Sequence, residues 1–233
     1  MTITLQTNEF VRILKEAALF AAATPNIPVI NAVHLEARGK DLVAVATDRF
    51  VLGASKTELD EPDETFMASL PLRQVRSIVQ IAGAGRQCFS TVAVDADDKQ
   101  VRIAFSSGET LTLSTEVERG QHRSWLRLLE ATPGDEPSKA MEVNPQYLAK
   151  FAQVLGKRAA RMRMHFFGHH RPIRVTVGDC FVGMIMPVRI EDEAMDWAVP
   201  EWVAFVADKP AKAPARKQSA ARKPRQPRKQ PAA

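Results

Sequence analysis

Apolar and polar positions repeat one arrangement three times along the first 190 residues. In the first copy, a short alternating stretch precedes a segment with apolar residues at helical spacing, and three further alternating stretches follow. Asn8 is the predicted N-cap of this helix, and Gly39-Lys40 is the predicted turn between the first two of the three strands. The predicted strands of this copy are residues 3–5, 32–37, 41–46 and 51–59.

The second and third copies follow the same order. In the second, Pro71 is predicted to start the helix, and in the third the helix starts at Asn144-Pro145. The predicted strands of the second copy are residues 65–68, 88–94, 100–106 and 110–117. Those of the third copy are residues 140–143, 161–167, 172–177 and 181–189.

The repeated pattern predicts an α+β fold made of three β-α-β-β-β units, each with one helix on a four-stranded sheet. A single unit exposes half a core and its sheet edges, so two units side by side would close the core and pair their edges. The predicted parts are a complete two-repeat domain (1–119), a connector (120–139), a lone third repeat (140–190), an extension (191–208) and a basic tail (209–233).

Charge is divided unevenly along the chain. Residues 209–233 hold nine of the 32 Lys and Arg residues and none of the 27 Asp and Glu residues, so residues 1–208 have 23 basic and 27 acidic residues, a net charge of −4. The tail has no large apolar side chain, which predicts a disordered segment. Two interpretations stay open: attraction to nucleic-acid phosphate, which would weaken with salt, or a solubilising tail without a target.

The composition points to neither a membrane nor an oxidising compartment. No apolar run reaches the roughly 18 residues of a membrane-spanning helix, and the first residues lack the basic and apolar regions of a signal peptide. Two cysteines, Cys88 and Cys180, are too few for a disulfide framework. The prediction is a cytoplasmic protein without a membrane partner.

The sequence shows no pattern typical of a catalytic or metal site. His165, His169, His170 and Cys180 lie on a predicted strand end and turns, without the spacing of a zinc site. The glycines at 83–85 follow a helix, whereas a phosphate-binding loop opens one, and there is no GxSxG motif. We therefore predict no enzyme, no cofactor and no metal.

Several stretches resemble the bacterial sliding clamp, the beta subunit of DNA polymerase III, in shortened form. VINAVHL at 29–35 and VATDRFVL at 45–52 are similar to the family's "pvLngv" and "ATDghRL". WLRLL at 125–129 is similar to its connector "YRRLL", and MIMPVRI at 184–190 to its closing "MPMRL". These stretches occur in the family's order, and the resemblance covers about residues 1–190.

The resemblance implies a ring that encircles duplex DNA without reading its sequence. In that family the helices line the channel, so DNA-binding residues are expected on the helix faces that point away from the predicted sheets. These faces carry cations and amides that suit phosphate contact, although any solvated helix face carries similar residues. The candidate DNA-binding residues are Arg12, Lys15, Arg73, Arg76, Gln80, Lys150, Gln153, Lys157 and Arg158.

The resemblance also implies an apolar pocket that binds short peptides of partner proteins. Methionines adapt their shape to different ligands, which suits such a pocket. Without the resemblance, the same alternating residues would be interpreted as an ordinary core strand. The candidate pocket residues are Thr47, Leu52, Leu128, Met184, Met186, Pro187 and Val188.

The chain departs from the family pattern in three respects. Arg49-Phe50 stands where the family has Gly-His. The family has six repeats per chain and forms dimers, which gives a ring of twelve repeats. This sequence has three repeats, so such a ring would need four chains, with the lone third repeats pairing across a two-fold interface. A monomer, or an open dimer whose third repeats complete one domain, also remains open. Residues 191–208 extend beyond the family's usual end and would cover the edge of the third repeat or occupy the pocket.

The predicted function is that of a sliding clamp, a homo-oligomeric processivity factor without catalytic activity. Its expected partners are double-stranded DNA, a DNA polymerase and, for a closed ring, a clamp loader. One alternative is a clamp-derived module that forms no ring and competes for clamp-binding peptides. Another is a nucleic-acid-binding protein driven by its tail. A shortened replication component is more typical of a phage or mobile element than of a cellular clamp.

Overall fold

A computed structural model describes residues 2–188 apart from a few internal stretches. The stretches left out are 62–65, 84–89, 98, 115–116, 118–119, 121, 131–140, 156–160 and 169–170. The predicted extension at 191–208 and the basic tail therefore lie outside the described residues. None of the helices within the described part is long and apolar enough to cross a membrane.

Eleven strands and four helices are described. The strands are β1 (Thr2–Gln6), β2 (Ala32–Arg38), β3 (Asp41–Thr47), β4 (Val51–Glu58), β5 (Met67–Pro71), β6 (Thr91–Ala96), β7 (Gln100–Phe105), β8 (Thr110–Ser114), β9 (Met162–His165), β10 (Ile173–Val177) and β11 (Phe181–Ile185). The helices are α1 (Thr7–Ala18), α2 (Leu72–Gly83), α3 (His122–Leu126) and α4 (Pro145–Leu155), and a 3-10 turn at Arg127–Glu130 follows α3.

The first two repeats exchange their first strands. One sheet has the order β1-β6-β7-β8, so β1 of the first repeat pairs with β6 of the second. In the other sheet β5 of the second repeat pairs with β2 of the first. The sequence predicted four strands per repeat but not this exchange, because alternation of apolar residues is the same whichever neighbour a strand has.

The third repeat continues the sheet of the first. Its strands follow β4 in the order β11-β10-β9, which makes a seven-stranded antiparallel sheet, β5-β2-β3-β4-β11-β10-β9. The third repeat is therefore joined edge to edge to the first through the β4–β11 pair. Its first strand, predicted at 140–143, is represented among the described residues by a single bridge between Glu142 and Val188.

Two glycines allow the first and third repeats to join closely. Gly53 of β4 lies directly opposite Gly183 of β11. A Cβ atom on Gly183 would lie 2.6 Å from Cε1 of Phe151, and one on Gly53 would meet the ring of Phe20. The rings of Phe20 and Phe151 pack edge to face above these glycines, with centroids 4.9 Å apart. The buried core therefore continues from the first repeat into the third.

The helix starts follow tertiary contacts as well as sequence signals. Helix α1 begins at Thr7, one residue before the predicted N-cap, and the Thr7 N–H donates to the carbonyl of Ser90. Helix α2 begins just after Pro71, which is the last residue of β5. Helix α4 begins where the sequence predicts, and the Asn144 side chain accepts a hydrogen bond from the N–H of Gln146.

Candidate partner cleft and nucleic-acid interface

The seven-stranded sheet has two sides with different cover. On the side we call the helix side, alternate residues such as Val33, Leu35 and Leu42 pack with α1 and α2 in the main core. On the opposite side, which we call the outer side, Val45, Leu52 and Met184 form a smaller cluster with Trp125 and other residues. The described elements of the connector are α3 and the 3-10 turn, and they therefore cover part of the outer side.

An apolar cleft of about 200 Å³ lies on the outer side, beside the connector. It opens between the β3–β4 turn, the connector and the end of β11. Leu52 and Met184, which face each other across the β4–β11 pair, form part of its wall. Its lining residues are Ile30, Thr47, Arg49, Phe50, Val51, Leu52, Trp125, Leu128, Met184 and Met186.

The structure brings together most of the predicted pocket residues. Thr47, Leu52, Leu128, Met184 and Met186 all line this cleft. The remaining two predicted residues, Pro187 and Val188, lie beyond the end of β11 and are not among the lining residues. Phe50, Leu128 and Met186 are respectively 57%, 54% and 41% exposed, so the cleft presents open apolar surface to solvent.

Sequence reasoning missed the other five lining residues, Ile30, Arg49, Phe50, Val51 and Trp125. Trp125 is the first residue of the connector stretch that was compared with the family, so that stretch carried a usable signal. Ile30 lies in the stretch before β2 and reaches the cleft only through tertiary folding. Phe50 occupies a turn position that differs from the family pattern, so the resemblance gave no reason to select it.

The β3–β4 turn is held in one conformation by its own side chains. The Asp48 carboxylate accepts hydrogen bonds from the N–H groups of Phe50 and Val51, at 3.0 and 2.9 Å. The Thr47 hydroxyl donates to the carbonyl of Val51 at 2.6 Å. Arg49 has a φ angle of 83°, in the left-handed region that favours glycine. The turn thus keeps a glycine-like backbone although the residue is arginine.

Buried polar groups attach the connector to the sheet. The Glu36 carboxylate on β2 accepts hydrogen bonds from Nε2 of His122, at 2.9 Å, and from Arg123, at 2.6 Å. Burial alone would raise the pKa of Glu36, but these hydrogen bonds and the charge of Arg38 lower the pKa overall. Burial lowers the pKa of His122 despite its bond to Glu36. An ionised Glu36 thus holds a neutral His122.

His34 extends this polar cluster toward the cleft. Its Nε2 donates to the carbonyl of Val29 and its Nδ1 accepts from the hydroxyl of Ser69, at 2.8 and 2.9 Å. Its ring stacks on His122 and meets the edge of Trp125. Burial, opposed by the Val29 bond and assisted by His122, lowers the pKa of His34 to about 4. The wall residue Trp125 therefore rests on a neutral, buried histidine.

Helices α1 and α2 carry the candidate DNA contacts that stay exposed. Lys15 of α1 and Arg73, Arg76 and Gln80 of α2 are exposed, and α2 contains no acidic residue. Gln153 of α4 is exposed as well. Helices α1 and α2 pack on the helix side of the sheet, opposite the cleft, whereas α4 reaches the β3–β4 turn through Lys150.

Two candidates for DNA contact form ion pairs within the protein. The Arg12 side chain is 10% exposed and binds Glu9, Glu16, the Ser55 hydroxyl and the Lys56 carbonyl. Its guanidinium is therefore occupied within the protein.

Lys150 pairs with Asp48 at 2.7 Å, so its ammonium fastens α4 to the β3–β4 turn. Lys157 and Arg158, two further candidates, lie outside the described residues.

Comparison with known proteins identifies the fold. No protein-family model and no curated protein matches the sequence. Among solved structures, the DNA polymerase sliding clamp of Caulobacter crescentus matches with a TM-score of 0.66 at 15% identity, covering 81% of this chain and 65% of that one. The chain therefore has the α+β fold of DNA polymerase sliding clamps.

The structures it resembles are bacterial DNA polymerase III beta subunits. That of Thermotoga maritima matches with a TM-score of 0.65 at 14% identity, covering 82% of this chain and 66% of that one. The beta chain of Streptococcus pneumoniae matches with a TM-score of 0.62 at 19% identity, covering 82% and 65%. The resemblance seen in the sequence is confirmed, and the chain spans just under two thirds of the length of these structures.

Proposed function

We propose that this chain is a non-catalytic sliding clamp that holds a DNA polymerase on duplex DNA, acting in the cytoplasm. The observation that carries the proposal is the division of one sheet into two working sides. The exposed candidate DNA contacts Lys15, Arg73 and Arg76 lie on helices on one side, and the apolar cleft opens on the other. A clamp needs this separation, because DNA and partner must bind at the same time without competing.

DNA binding on the helix side is supported by exposed positive charge. Lys15, Arg73 and Arg76 are exposed on α1 and α2, which pack side by side, in a chain whose first 208 residues have a net charge of −4. Positive charge on the helices within an acidic body favours contact with the phosphate backbone. Such binding is independent of sequence and weakens with salt, because each neutralised phosphate releases condensed counterions.

The partner side rests on the open apolar cleft. Leu128, Phe50 and Met186 are more than 40% exposed, and this exposure is costly unless another surface covers it during function. A volume of about 200 Å³ accommodates a few apolar side chains of a peptide, well short of a folded domain. The flexible side chains of Met184 and Met186 can adjust to different peptides.

DNA retention tests the clamp proposal directly. The full chain is mixed with linear duplex DNA, over whose ends a ring can pass without a loader, and one half of the DNA is then ligated into circles. Retention on both forms is measured by gel filtration over a salt series. A clamp that closes around DNA is retained on the circle and slides off the linear duplex. Equal retention on both DNAs would contradict encirclement.

Matched arginine variants test which face binds DNA. A plot of the logarithm of the DNA association constant against the logarithm of salt concentration has a slope of about 0.9 per phosphate contact. The double variant Arg73→Ala/Arg76→Ala loses two such contacts, so the magnitude of its slope should be smaller by about 2. Arg102→Ala removes an exposed arginine from strand β7 and should leave the slope unchanged. If deletion of residues 209–233 abolishes all DNA binding while the double variant has no effect, the tail-driven alternative is correct.

Selection from a displayed library of short random peptides tests the cleft. Leu128→Asp places a charge in the cleft and should abolish selection, whereas Ile81→Asp alters an exposed apolar residue on α2 and should not. Equal effects of the two variants would contradict the proposed cleft. A chain that selects peptides through the cleft but is not retained on circular DNA would instead be a regulatory module that competes for such peptides.

A further inference from the structure

The first two repeats show how a unit of this fold is completed. Each gives its first strand to the second strand of the other, so that β1 lies beside β6 and β5 beside β2. In these pairs, the residue just before each helix lies opposite the first residue of the receiving strand. Gln6 is opposite Thr91, and Pro71 is opposite Ala32.

Among the described residues, the third repeat has a receiving strand without a donor. Strand β9 is at the end of the seven-stranded sheet, and within the described part of the chain no strand lies on its other side. Met162 of β9 is 40% exposed, although its partner in the sheet, Val177, is buried in the core. The apolar face of this repeat is therefore open at its edge.

The backbone of β9 is oriented to receive another strand. The Gly178 N–H donates to the Arg161 carbonyl, so Arg161 bonds toward β10. Because these bonds alternate along an antiparallel pair, Arg163 also points to β10, and the N–H and C=O groups of Met162 and Met164 point to the open edge. The equivalent bond in the second repeat, from Ser106 to Thr91, marks Arg161 as the counterpart of Thr91.

The first strand of the third repeat is oriented to pair with a strand outside its own repeat. The Val188 N–H donates to the Glu142 carbonyl at 2.8 Å, so Glu142 bonds toward Val188. By the same alternation, the backbone groups of Met141 and Val143 point to the opposite side. The donor segment and the receiving strand thus have matching patterns of outward N–H and C=O groups.

We propose that two copies of this chain complete one domain by exchanging the first strands of their third repeats. Residues 141–144 of each copy lie antiparallel to β9 of the other, with Asn144 opposite Arg161. This register places Glu142 opposite Arg163, a cross-strand pair of opposite charge between two exposed residues. It also adds Met141 and Val143 to the apolar face of Met162 and Met164.

The exchange is self-complementary, as a two-fold interface requires, because each copy gives and receives the same strand. The resulting pair contains two complete domains and one composite domain between them. It therefore has six repeats, the number that the resemblance assigns to one bacterial clamp chain. The inference does not depend on DNA or peptide binding, so its test can fail while the proposed function holds.

Sedimentation of the full chain tests the exchange. We expect assemblies whose mass is at least twice the chain mass of 25.8 kDa. Met162→Pro removes an outward N–H from β9 and should at least halve the assembly mass, whereas Met162→Leu keeps this donor and should leave it unchanged. A wild-type monomer, or association insensitive to Met162→Pro, would overturn the proposal.

A proline on the other open edge is the matched control. The Phe105 N–H donates to the Glu109 carbonyl, so by alternation the backbone of Thr112 in β8 points away from β7. Thr112→Pro should leave the dimer intact, even if it prevents larger rings from closing at β8. Loss of all association in Thr112→Pro but not in Met162→Pro would place the interface at β8 and overturn the exchange.

Disulfide trapping tests the register without a proline. In the proposed register Glu142 and Arg163 form a non-hydrogen-bonded pair, with Cα atoms about 4.5 Å apart, which a disulfide can bridge. Glu142→Cys and Arg163→Cys chains, each with Cys88 and Cys180 changed to Ser, are mixed and oxidised. A covalent heterodimer that neither chain gives alone is expected, and its absence would exclude the register.

Discussion

The buried His34 gives the protein a dependence on pH that can be measured. Its pKa falls from 6.5 in the unfolded chain to about 4 in the folded protein. As the pH drops below 6.5, the unfolded chain binds a proton at this position that the folded protein excludes. Stability from His34 is therefore complete above about pH 6.5 and is lost progressively as the pH falls toward 4.

The size of the effect follows from the two pKa values. Between about pH 7.5 and about pH 5, His34 should remove about 2 kcal/mol from the free energy of unfolding. Urea denaturation at both pH values measures this difference. His34→Gln removes the titrating ring but keeps a hydrogen-bond donor and acceptor, so its loss between the two pH values should be smaller by about the same amount.

A neighbouring variant separates titration from packing. Ser69→Ala removes the hydroxyl that bonds Nδ1 of His34 but keeps the imidazole. It should lower stability at both pH values, by about 1 kcal/mol, with most of the pH dependence retained. If wild-type protein and His34→Gln lost equal stability on acidification, the assignment of the pH effect to His34 would be wrong.

Three further variants test the joins around the cleft. Gly183→Ala should lower the free energy of unfolding, measured by urea denaturation, by at least about 1–3 kcal/mol. The added Cβ would lie 2.5 Å from a backbone carbonyl oxygen and 2.6 Å from Phe151. An unchanged denaturation midpoint would refute the close contact between the first and third repeats. Arg49→Gly should raise the free energy of unfolding by up to about 1 kcal/mol by relieving its left-handed backbone, and a loss of stability would contradict this account. Lys150→Ala should cost about 1–2 kcal/mol by removing the ion pair with Asp48, and it should not change the salt dependence of DNA binding. A changed salt slope would show that Lys150 contacts DNA.

The sequence predicts the helices and strands of this fold better than it predicts which strands pair with each other. Alternating residues such as Ile3 and Leu5 mark β1 as a strand with one buried side, and helical spacing marks α1. Nothing in that alternation shows that β1 pairs with β6, nearly 90 residues away, in place of a strand of its own repeat. Strand exchange depends on which edges meet after folding, and a local pattern holds no such information.

For the candidate cleft and DNA contacts too, the sequence indicates residues but not their contacts in the folded protein. Leu52 and Met184 were selected from separate stretches by resemblance, and they meet across the β4–β11 pair at the cleft wall. Arg12 was assigned to an open helix face, since helical spacing distinguishes only the apolar stripe from the rest. Its burial arises from Ser55 and the Lys56 carbonyl on β4, which come near only in the folded protein.

The pairing of Leu52 with Met184 ties the shape of the cleft to the alignment of two strands from distant parts of the chain. Sliding β11 by a single residue would turn Met184 into the core and bring Gly183 to the outer side. The same slip would remove the space that the Phe151 ring occupies. Peptide binding by the cleft would thus serve as a sensitive report on whether the third repeat has joined the first in its native alignment.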